Sequence, residues 1–133
     1  DWHERYLRAL QMEMALFSGR NPETLYIGGG TPSELSVPDL KKLFLDIGRH
    51  FRTVREFVES TFEANPESLT RDKIMLLKQF GFNRVSMGLQ ATQAELLAAL
   101  GRRHSYEEFL SAYHDLRSVG FNNINVDLIA GVP

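Results

Sequence analysis

Cysteine is the residue that this sequence lacks altogether, with none among 133 residues. A chain without thiols forms no disulfide, offers no thiolate to a metal ion and ligates no iron–sulfur cluster of its own. Positive charge is not in excess either, since the net charge is −2 and the pI is about 6.1. Nucleic acid is therefore not an expected partner.

Long apolar runs are also missing. No segment approaches the roughly 20 residues that a membrane-spanning helix needs, and the opening DWHERYLRAL does not resemble a signal peptide. We therefore expect no transmembrane segment and a cytoplasmic location. What is present is an ordinary globular composition, 43% hydrophobic and 24% charged, at the length of one domain.

The order of predicted elements is a helix, then three strand–helix units, then a last strand. Short apolar or alternating segments predict strands at 25–27, 56–64, 84–90 and 123–129. Helices are predicted over 2–17, after Ser36, after Thr70, and after capping boxes at Thr92–Glu95 and Ser105–Glu108. The first helix is expected to bury one stripe, formed by Trp2, Tyr6, Leu10, Met14 and Phe17.

Two similar segments, FGFNRVSMG at 80–88 and VGFNNINVD at 119–127, place a helix-ending glycine before a strand. Such a repeated turn favours stacked βα units with right-handed crossovers and a parallel sheet.

Three of the predicted strands have a polar face as well as an apolar one. Their polar faces end at Glu63, Gln90 and Asp127. Strands of an ordinary parallel sheet are apolar on both sides, whereas a barrel has an inner face that leads to a ligand at the carboxyl ends. We therefore predict an α/β barrel or half-barrel with these side chains at one rim. The alternative is an open sheet whose polar face is solvated or internally hydrogen-bonded.

Three consecutive glycines, Gly28 to Gly30, follow the first predicted strand. Glycines at a strand end expose backbone N–H and C=O groups to a ligand without side chains in the way. They could equally serve only a tight turn. No G-x-x-x-x-G-K-[ST] motif is present, and no G-x-G-x-x-G opens a helix, so neither phosphate-binding motif applies.

Each candidate side chain also has a purely structural explanation. Glu63 can cap the following turn, Gln90 can be a core amide, and Asp127 can bond to neighbouring strands. Arg102 is as readily a solvated residue as a functional one, and Arg103 is more simply a surface residue.

The remaining ionisable candidates are His104 and His114, which we expect on or near the surface. No spacing of His, Asp and Glu resembles a metal site.

Five segments occur in one order: YIGGGTPSELS, FEANPESLT, RVSMGLQ, LGRRHSYEEF and GFNNINVDLIAGVP. Together they resemble the radical S-adenosylmethionine enzymes of the oxygen-independent coproporphyrinogen III oxidase type, a group that includes a branch of haem chaperones. The resemblance runs from about residue 3 to the end of the chain.

The resemblance implies part of a partial (β/α)6 barrel with parallel strands, which holds a [4Fe–4S] cluster and S-adenosylmethionine at its carboxyl rim. It implies that Gly29, Gly30 and Thr31 meet the methionine end of the cofactor. The other cofactor-binding residues that it implies are Glu63, Gln90, Arg102 and Asp127.

The C-x-x-x-C-x-x-C motif of that family is absent. The resemblance puts it upstream of the first helix, so residues 1–133 are expected to form a single incomplete barrel domain without the first strand, its cysteines and the C-terminal part. Such a fragment would form no cluster, show little or no cofactor binding and be inactive. Its unpaired sheet edges are expected to favour self-association.

For the complete protein, the resemblance implies oxidative decarboxylation of coproporphyrinogen III, with a porphyrin or haem as small-molecule partner. The alternative is a haem chaperone that binds and delivers haem. The segments LGRRHS and IGGGTPS resemble the chaperone branch slightly more than the dedicated oxidases.

Overall fold

The computed structural model describes residues 2–131. Its helices and strands, in chain order, are α1 (Trp2–Leu16), β1 (Thr24–Ile27), α2 (Val37–His50), β2 (Glu59–Ala64), α3 (Arg71–Phe80), β3 (Arg84–Gln90), α4 (Ala94–Ala99), α5 (Tyr106–Ser118) and β4 (Asn123–Leu128). Two 3-10 turns lie at Pro32–Glu34 and Val54–Glu56. Within residues 2–131, no helix is long and apolar enough to cross a membrane.

The four strands form one parallel sheet in the order β1-β2-β3-β4. This confirms the predicted α/β class and the parallel sheet. The register pairs Glu63 with Ser86 and Gly88 with Asp127, so polar residues of adjacent strands lie side by side. The edge strands are β1 and β4, and self-association through them stays a prediction.

A cluster of phenylalanine rings joins the helices to the apolar face of the sheet. Phe44 of α2 packs against Phe62, Phe80 and Phe82, with ring centroids 6.2, 5.2 and 4.8 Å away. Edge-to-face aromatic pairs at these distances add to the stabilisation from burial alone. The helices therefore cover the apolar face of the sheet, and the polar face remains for the site.

One of the two predicted capping boxes is confirmed. The hydroxyl of Ser105 accepts from the backbone N–H of Glu108, and the Glu108 carboxylate accepts from the Ser105 N–H at 2.7 Å. The other prediction was wrong, because α4 begins at Ala94 with Gln93 as its N-cap and no side-chain cap. The Thr92 hydroxyl instead contacts Gln93 Oε1 at 3.2 Å.

The predicted second strand began too early. Residues Val54–Glu56 form a 3-10 turn, in which Glu56 accepts hydrogen bonds from the backbone N–H and the hydroxyl of Thr53. This local capping competes with strand pairing, and β2 therefore starts only at Glu59.

The predicted stripe of α1 was wrong in part. Met14 is buried, but so is Leu7, which was not on the predicted stripe. The side chains of Trp2, Tyr6 and Phe17 are exposed. Since α1 packs mainly on α2, only the part of its surface facing that helix is covered.

Candidate functional site

The predicted rim residues Gly30, Glu63, Gln90 and Asp127 line one cleft at the carboxyl ends of the strands, whereas Gly28 and Gly29 are not among its lining residues. Its volume is about 230 Å³, and it is open to solvent. The residues that line it are Gly30, Thr31, Pro32, Glu63, Ala64, Asn65, Ser86, Gly88, Gln90, Arg102 and Asp127. Glu63, Gln90, Arg102 and Asp127 come from four separate segments, and the fold brings all of them together.

The glycine loop is shaped by its contact with Glu63. A Cβ on Gly28 would lie 2.6 Å from the ring of Tyr26 and 2.7 Å from the carboxyl carbon of Glu63, which is closer than real Cβ contacts allow. Gly29 has φ +109°, and its N–H donates to Glu63 Oε2 at 3.2 Å. Neither Gly29 nor Gly30 has an atom within 4 Å of where a Cβ would be. Gly30 lines the cleft, whereas Gly29 does not and its N–H is engaged by Glu63.

Tyr26 belongs to this arrangement, although it was not predicted. Its hydroxyl donates a hydrogen bond to Glu63 Oε1. That bond is the main reason why the pKa of the Tyr26 phenol is raised, and burial adds to the effect. The period-2 alternation of β1 puts Tyr26 on the same face as Gly28, which was the available signal.

Gln90 lies in a strained turn at the end of β3. It has φ +70°, and it is the one non-glycine residue with positive φ in residues 2–131. The N–H of Ala91 donates to the carbonyl of Leu89 at 2.9 Å, which closes a three-residue turn around Gln90. A left-handed conformation is costly for a residue with a Cβ, and such strain is common at functional sites.

Asp127 is exposed, and both of its carboxylate oxygens are engaged by neighbours. Oδ1 accepts from Asn125 Nδ2 at 2.8 Å and Oδ2 from Ser86 Oγ at 3.3 Å. Bonding to adjacent strand groups was the structural explanation offered for this residue, and the contacts show it. Exposure nonetheless leaves the carboxylate accessible from the cleft.

Arg102 reaches the cleft from the loop between α4 and α5. Its Nη1 makes a long contact of 3.5 Å to Asn65 Oδ1, while Asn65 Nδ2 contacts Thr31 Oγ1 at 3.4 Å. Asn65, which was not predicted, thus joins an arginine and the glycine loop. Arg103 is exposed and pairs with Glu34 at 3.4 Å.

A buried polar cluster supports the glycine loop from below. The hydroxyls of Ser33 and Ser68 are 2.6 Å apart, and Ser33 Oγ accepts from the N–H of Asn65 at 3.1 Å. Lys73 Nζ donates to the carbonyls of both serines. Burial lowers the pKa of Lys73, and Glu34 partly opposes that shift. This cluster ties the loop after β1 to the loop after β2.

The expectation for His104 was wrong, because its side chain is fully buried. Nε2 lies 3.2 Å from the carbonyl oxygen of Leu89, and Nδ1 lies 3.2 Å from Glu67 Oε2. His114 is exposed, as expected.

The chemical groups at the cleft suit a ligand that carries both an ammonium and a carboxylate. Glu63 and Asp127 offer negative charge, Arg102 offers a cation, and the Gly30 backbone offers N–H and C=O groups. At about 230 Å³ the cleft is smaller than the 300–1,000 Å³ usual for sites that enclose small molecules. It would therefore hold part of a nucleoside-sized ligand.

The side chains that the structure describes do not suit a metal ion or a metal cluster. No group of three or more His, Asp or Glu side chains that could hold a metal ion occurs in residues 2–131. The whole sequence has no cysteine. The residues present do not fit the ligation of an iron–sulfur cluster by this chain.

Comparison with known proteins decides the family. The family described as the radical SAM superfamily matches residues 2–133. The chain belongs to the radical SAM superfamily. Its relatives within that superfamily are haem chaperones and proteins of the coproporphyrinogen III oxidase family.

Among these radical SAM relatives, the heme chaperone HemW of Bacillus subtilis is 38% identical, over 98% of this chain and 35% of that protein. The oxygen-independent coproporphyrinogen-III oxidase-like protein HemZ of the same species is 39% identical, over 83% of this chain and 22% of that protein. Coproporphyrinogen III oxidase (HemN) from Escherichia coli, a radical SAM enzyme, matches in structure with a TM-score of 0.88 at 32% identity, over 98% of this chain and 31% of that one.

This radical SAM chain thus spans about a third of the length of HemW and of the solved HemN. The structural match confirms the predicted likeness to a barrel of this superfamily.

Proposed function

We propose that this chain forms the S-adenosylmethionine-binding part of a radical SAM protein of haem or porphyrin metabolism. The observation that carries the proposal is the convergence of Glu63, Gln90, Arg102 and Asp127 with the glycine loop at one cleft. Residues 1–133 would then be a single, incomplete barrel domain.

The roles of the residues follow from their chemistry. The Gly29–Gly30 backbone and Thr31 would meet the methionine end of the cofactor, because Gly30 and Thr31 line the cleft and Gly29 adjoins them. Glu63 would accept from an ammonium group, in exchange for its present bond from the Gly29 N–H. Arg102 would pair with a carboxylate.

Gln90 and Asp127 lie beside these groups and supply hydroxyl-binding chemistry. Asp127 can accept hydrogen bonds from a sugar diol, and Gln90 offers both a donor and an acceptor. The strained turn places Gln90 at the end of β3, close to Gly88. A Cβ on Gly88 would lie 2.5 Å from Gln90 Nε2, so the glycine leaves room for that side chain.

S-adenosylmethionine, when bound beside a reduced iron–sulfur cluster, supplies one-electron chemistry. This chain has no thiolate for such a cluster. We therefore expect it to bind the cofactor weakly and to catalyse nothing alone. Any activity belongs to a polypeptide that also supplies the cysteines.

Two functions of the whole protein remain to be separated. An oxidase-like function would decarboxylate coproporphyrinogen III, and the structural likeness to HemN supports it. A haem chaperone would bind and deliver haem. The relative HemW is described as a heme chaperone and aligns with nearly the entire chain, which favours the second function.

Mapping amide chemical shifts during titration with S-adenosylmethionine tests the proposal. We expect millimolar binding, with shifts confined to the glycine loop and to residues near Glu63, Gln90, Arg102 and Asp127. Asp127→Asn is the test variant, and Asp115→Asn on α5, outside the cleft, is its control. Absence of rim shifts at saturating cofactor, or equal shifts in Asp127→Asn, would overturn the assignment.

A further inference from the structure

His104 is a buried polar side chain that the proposed cofactor site does not yet use. It lies in the loop between α4 and α5, and its side chain is 0% exposed. One ring nitrogen faces the end of β3, and the other faces the loop after β2. The imidazole therefore lies between three segments that build the cleft.

The partners of the ring fix where its protons are. The carbonyl of Leu89 can only accept, so Nε2, at 3.2 Å, must carry a proton. Nδ1 and Glu67 Oε2 lie 3.2 Å apart, although the contact is not well aligned. Neither atom has another hydrogen-bond partner among the described residues.

The Leu89 carbonyl is the group that closes the strained turn around Gln90. It accepts from the Ala91 N–H at 2.9 Å and also from His104. Gln90 has φ +70°, a conformation that persists only where the surroundings enforce it. From outside the turn, the Ile129 N–H bonds to the Gln90 carbonyl at 2.9 Å, and His104 is a side chain that contacts the Leu89 carbonyl.

The same histidine holds the loop that carries Arg102. The N–H of Arg102 bonds to the carbonyl of Leu97 at the end of α4, and Ser105 caps α5. His104, next to the Ser105 cap, anchors the last part of this loop to the end of β3 and to the loop after β2. Arg103, the other charged residue of the loop, pairs instead with Glu34.

We propose that His104 is a positioning residue, which holds Gln90 in its left-handed turn and Arg102 at the rim of the cleft. This inference rests on the proposed function for the identity of the ligand. The geometry that it predicts is a property of the free protein and is measurable without any ligand.

The first test is the tautomer of His104 in the unmodified chain, read from imidazole nitrogen resonances. We expect a protonated Nε2. A ring whose only proton is on Nδ1 could not donate to Leu89 and would overturn the proposal.

The second test compares three variants: His104→Leu, Glu67→Gln and the exposed control His114→Gln. In His104→Leu we expect the Ala91 amide to exchange about tenfold faster or more, as loss of a buried hydrogen bond predicts, and the Gln90 backbone coupling to leave its positive-φ value. Glu67→Gln should keep the Gln90 turn, because it leaves the contact between His104 Nε2 and the Leu89 carbonyl in place. An unchanged Gln90 coupling in a folded His104→Leu would refute the positioning role. If that variant does not fold, the tautomer decides.

Titration with S-adenosylmethionine then separates the two proposals. With His104→Leu, shifts at Gln90 and Arg102 should be lost while those at Gly29 and Gly30 remain. If the unmodified chain shows no rim shifts, the proposed function fails, yet the Gln90 turn and the tautomer still test the role of His104. Equal shifts in the unmodified chain and in His104→Leu would overturn the positioning role alone.

Discussion

Gly28→Ala tests most sharply whether the glycine loop is shaped by its contact with Glu63. The new methyl group would lie 2.6 Å from the Tyr26 ring and 2.7 Å from the Glu63 carboxyl carbon. Both side chains must move, and the Tyr26–Glu63 hydrogen bond and the Gly29–Glu63 hydrogen bond are then broken or weakened.

The size of the effect follows from what is lost. Overpacking against movable side chains costs about 1 kcal/mol, the low end of the usual range. Tyr26 is 57% exposed, so the two hydrogen bonds add only a few tenths of a kcal/mol each. The expected destabilisation is about 1–2 kcal/mol, which lowers the melting temperature of a chain of this length by about 4–7 °C.

Gly30→Ala is the matched control, because nothing lies within 4 Å of its Cβ position and its φ is not positive. Thermal unfolding by circular dichroism measures both variants. The chain has four tyrosines, so the titration of Tyr26 is read as the difference in tyrosine absorbance between each protein and its Tyr26→Phe counterpart. We expect Gly30→Ala to melt within about 2 °C of the unmodified chain. Equal melting temperatures for the two variants, with an unchanged Tyr26 titration, would refute the proposed geometry.

Three further predictions concern stability. Because the pKa of Tyr26 is raised, its hydrogen bond stabilises the fold fully below the unfolded pKa of 10.0, and this stability is lost as pH rises through the folded pKa. The difference in melting temperature between Tyr26→Phe and the unmodified chain should therefore shrink above pH 10. A difference that stays constant with pH would contradict this. The hydrogen bonds from Thr53 lower the pKa of Glu56, so the stability they contribute is present above the unfolded pKa of 4.5 and is lost as pH falls through the folded pKa. Glu56→Gln should therefore reduce the dependence of stability on pH in the acid range. An unaltered slope of stability against pH would contradict this. Leu77→Ala, in the core at 0% exposure, should cost about 2–5 kcal/mol in urea unfolding, while Leu45→Ala, at 50% exposure, should cost far less; similar losses would show that the core is misassigned.

Much of the site could be predicted from the sequence because strand alternation and parallel pairing obey simple geometry. Side chains of one strand alternate between two faces, and the carboxyl ends of parallel strands meet at one edge. Glu63, Gln90 and Asp127 were therefore predicted to lie together, and they line one cleft. Arg102 lies on a loop, where no such periodicity applies, and its prediction depended on the family resemblance.

His104 was missed for a physical reason. His104 follows two arginines and precedes a helix cap, and a segment of that composition is typical of an exposed loop. The overlooked signal was its position just before the capping residue Ser105, where a side chain often packs towards the helix. Its burial depends on a carbonyl and on Glu67 from distant segments, and such partners have no local sequence pattern.

Tyr26 and Asn65 show the same limit in another form. Tyr26 was taken as part of a short apolar strand, yet its hydroxyl binds Glu63 across the sheet. Asn65 lies before a proline and was not among the predicted site residues, yet its side chain contacts both Thr31 and Arg102. Tyrosine and asparagine can each serve local chain structure or bond to a distant side chain, and only the tertiary contacts show which role a residue has.

The crystal structure of this chain grown with S-adenosylmethionine would test the central claim most directly. The account predicts the cofactor in the cleft, with its methionine end along Gly29 and Gly30 and its polar groups within hydrogen-bond distance of Glu63 and Asp127. A cofactor bound elsewhere on the chain, or a phosphate in place of it at the glycine loop, would contradict the account.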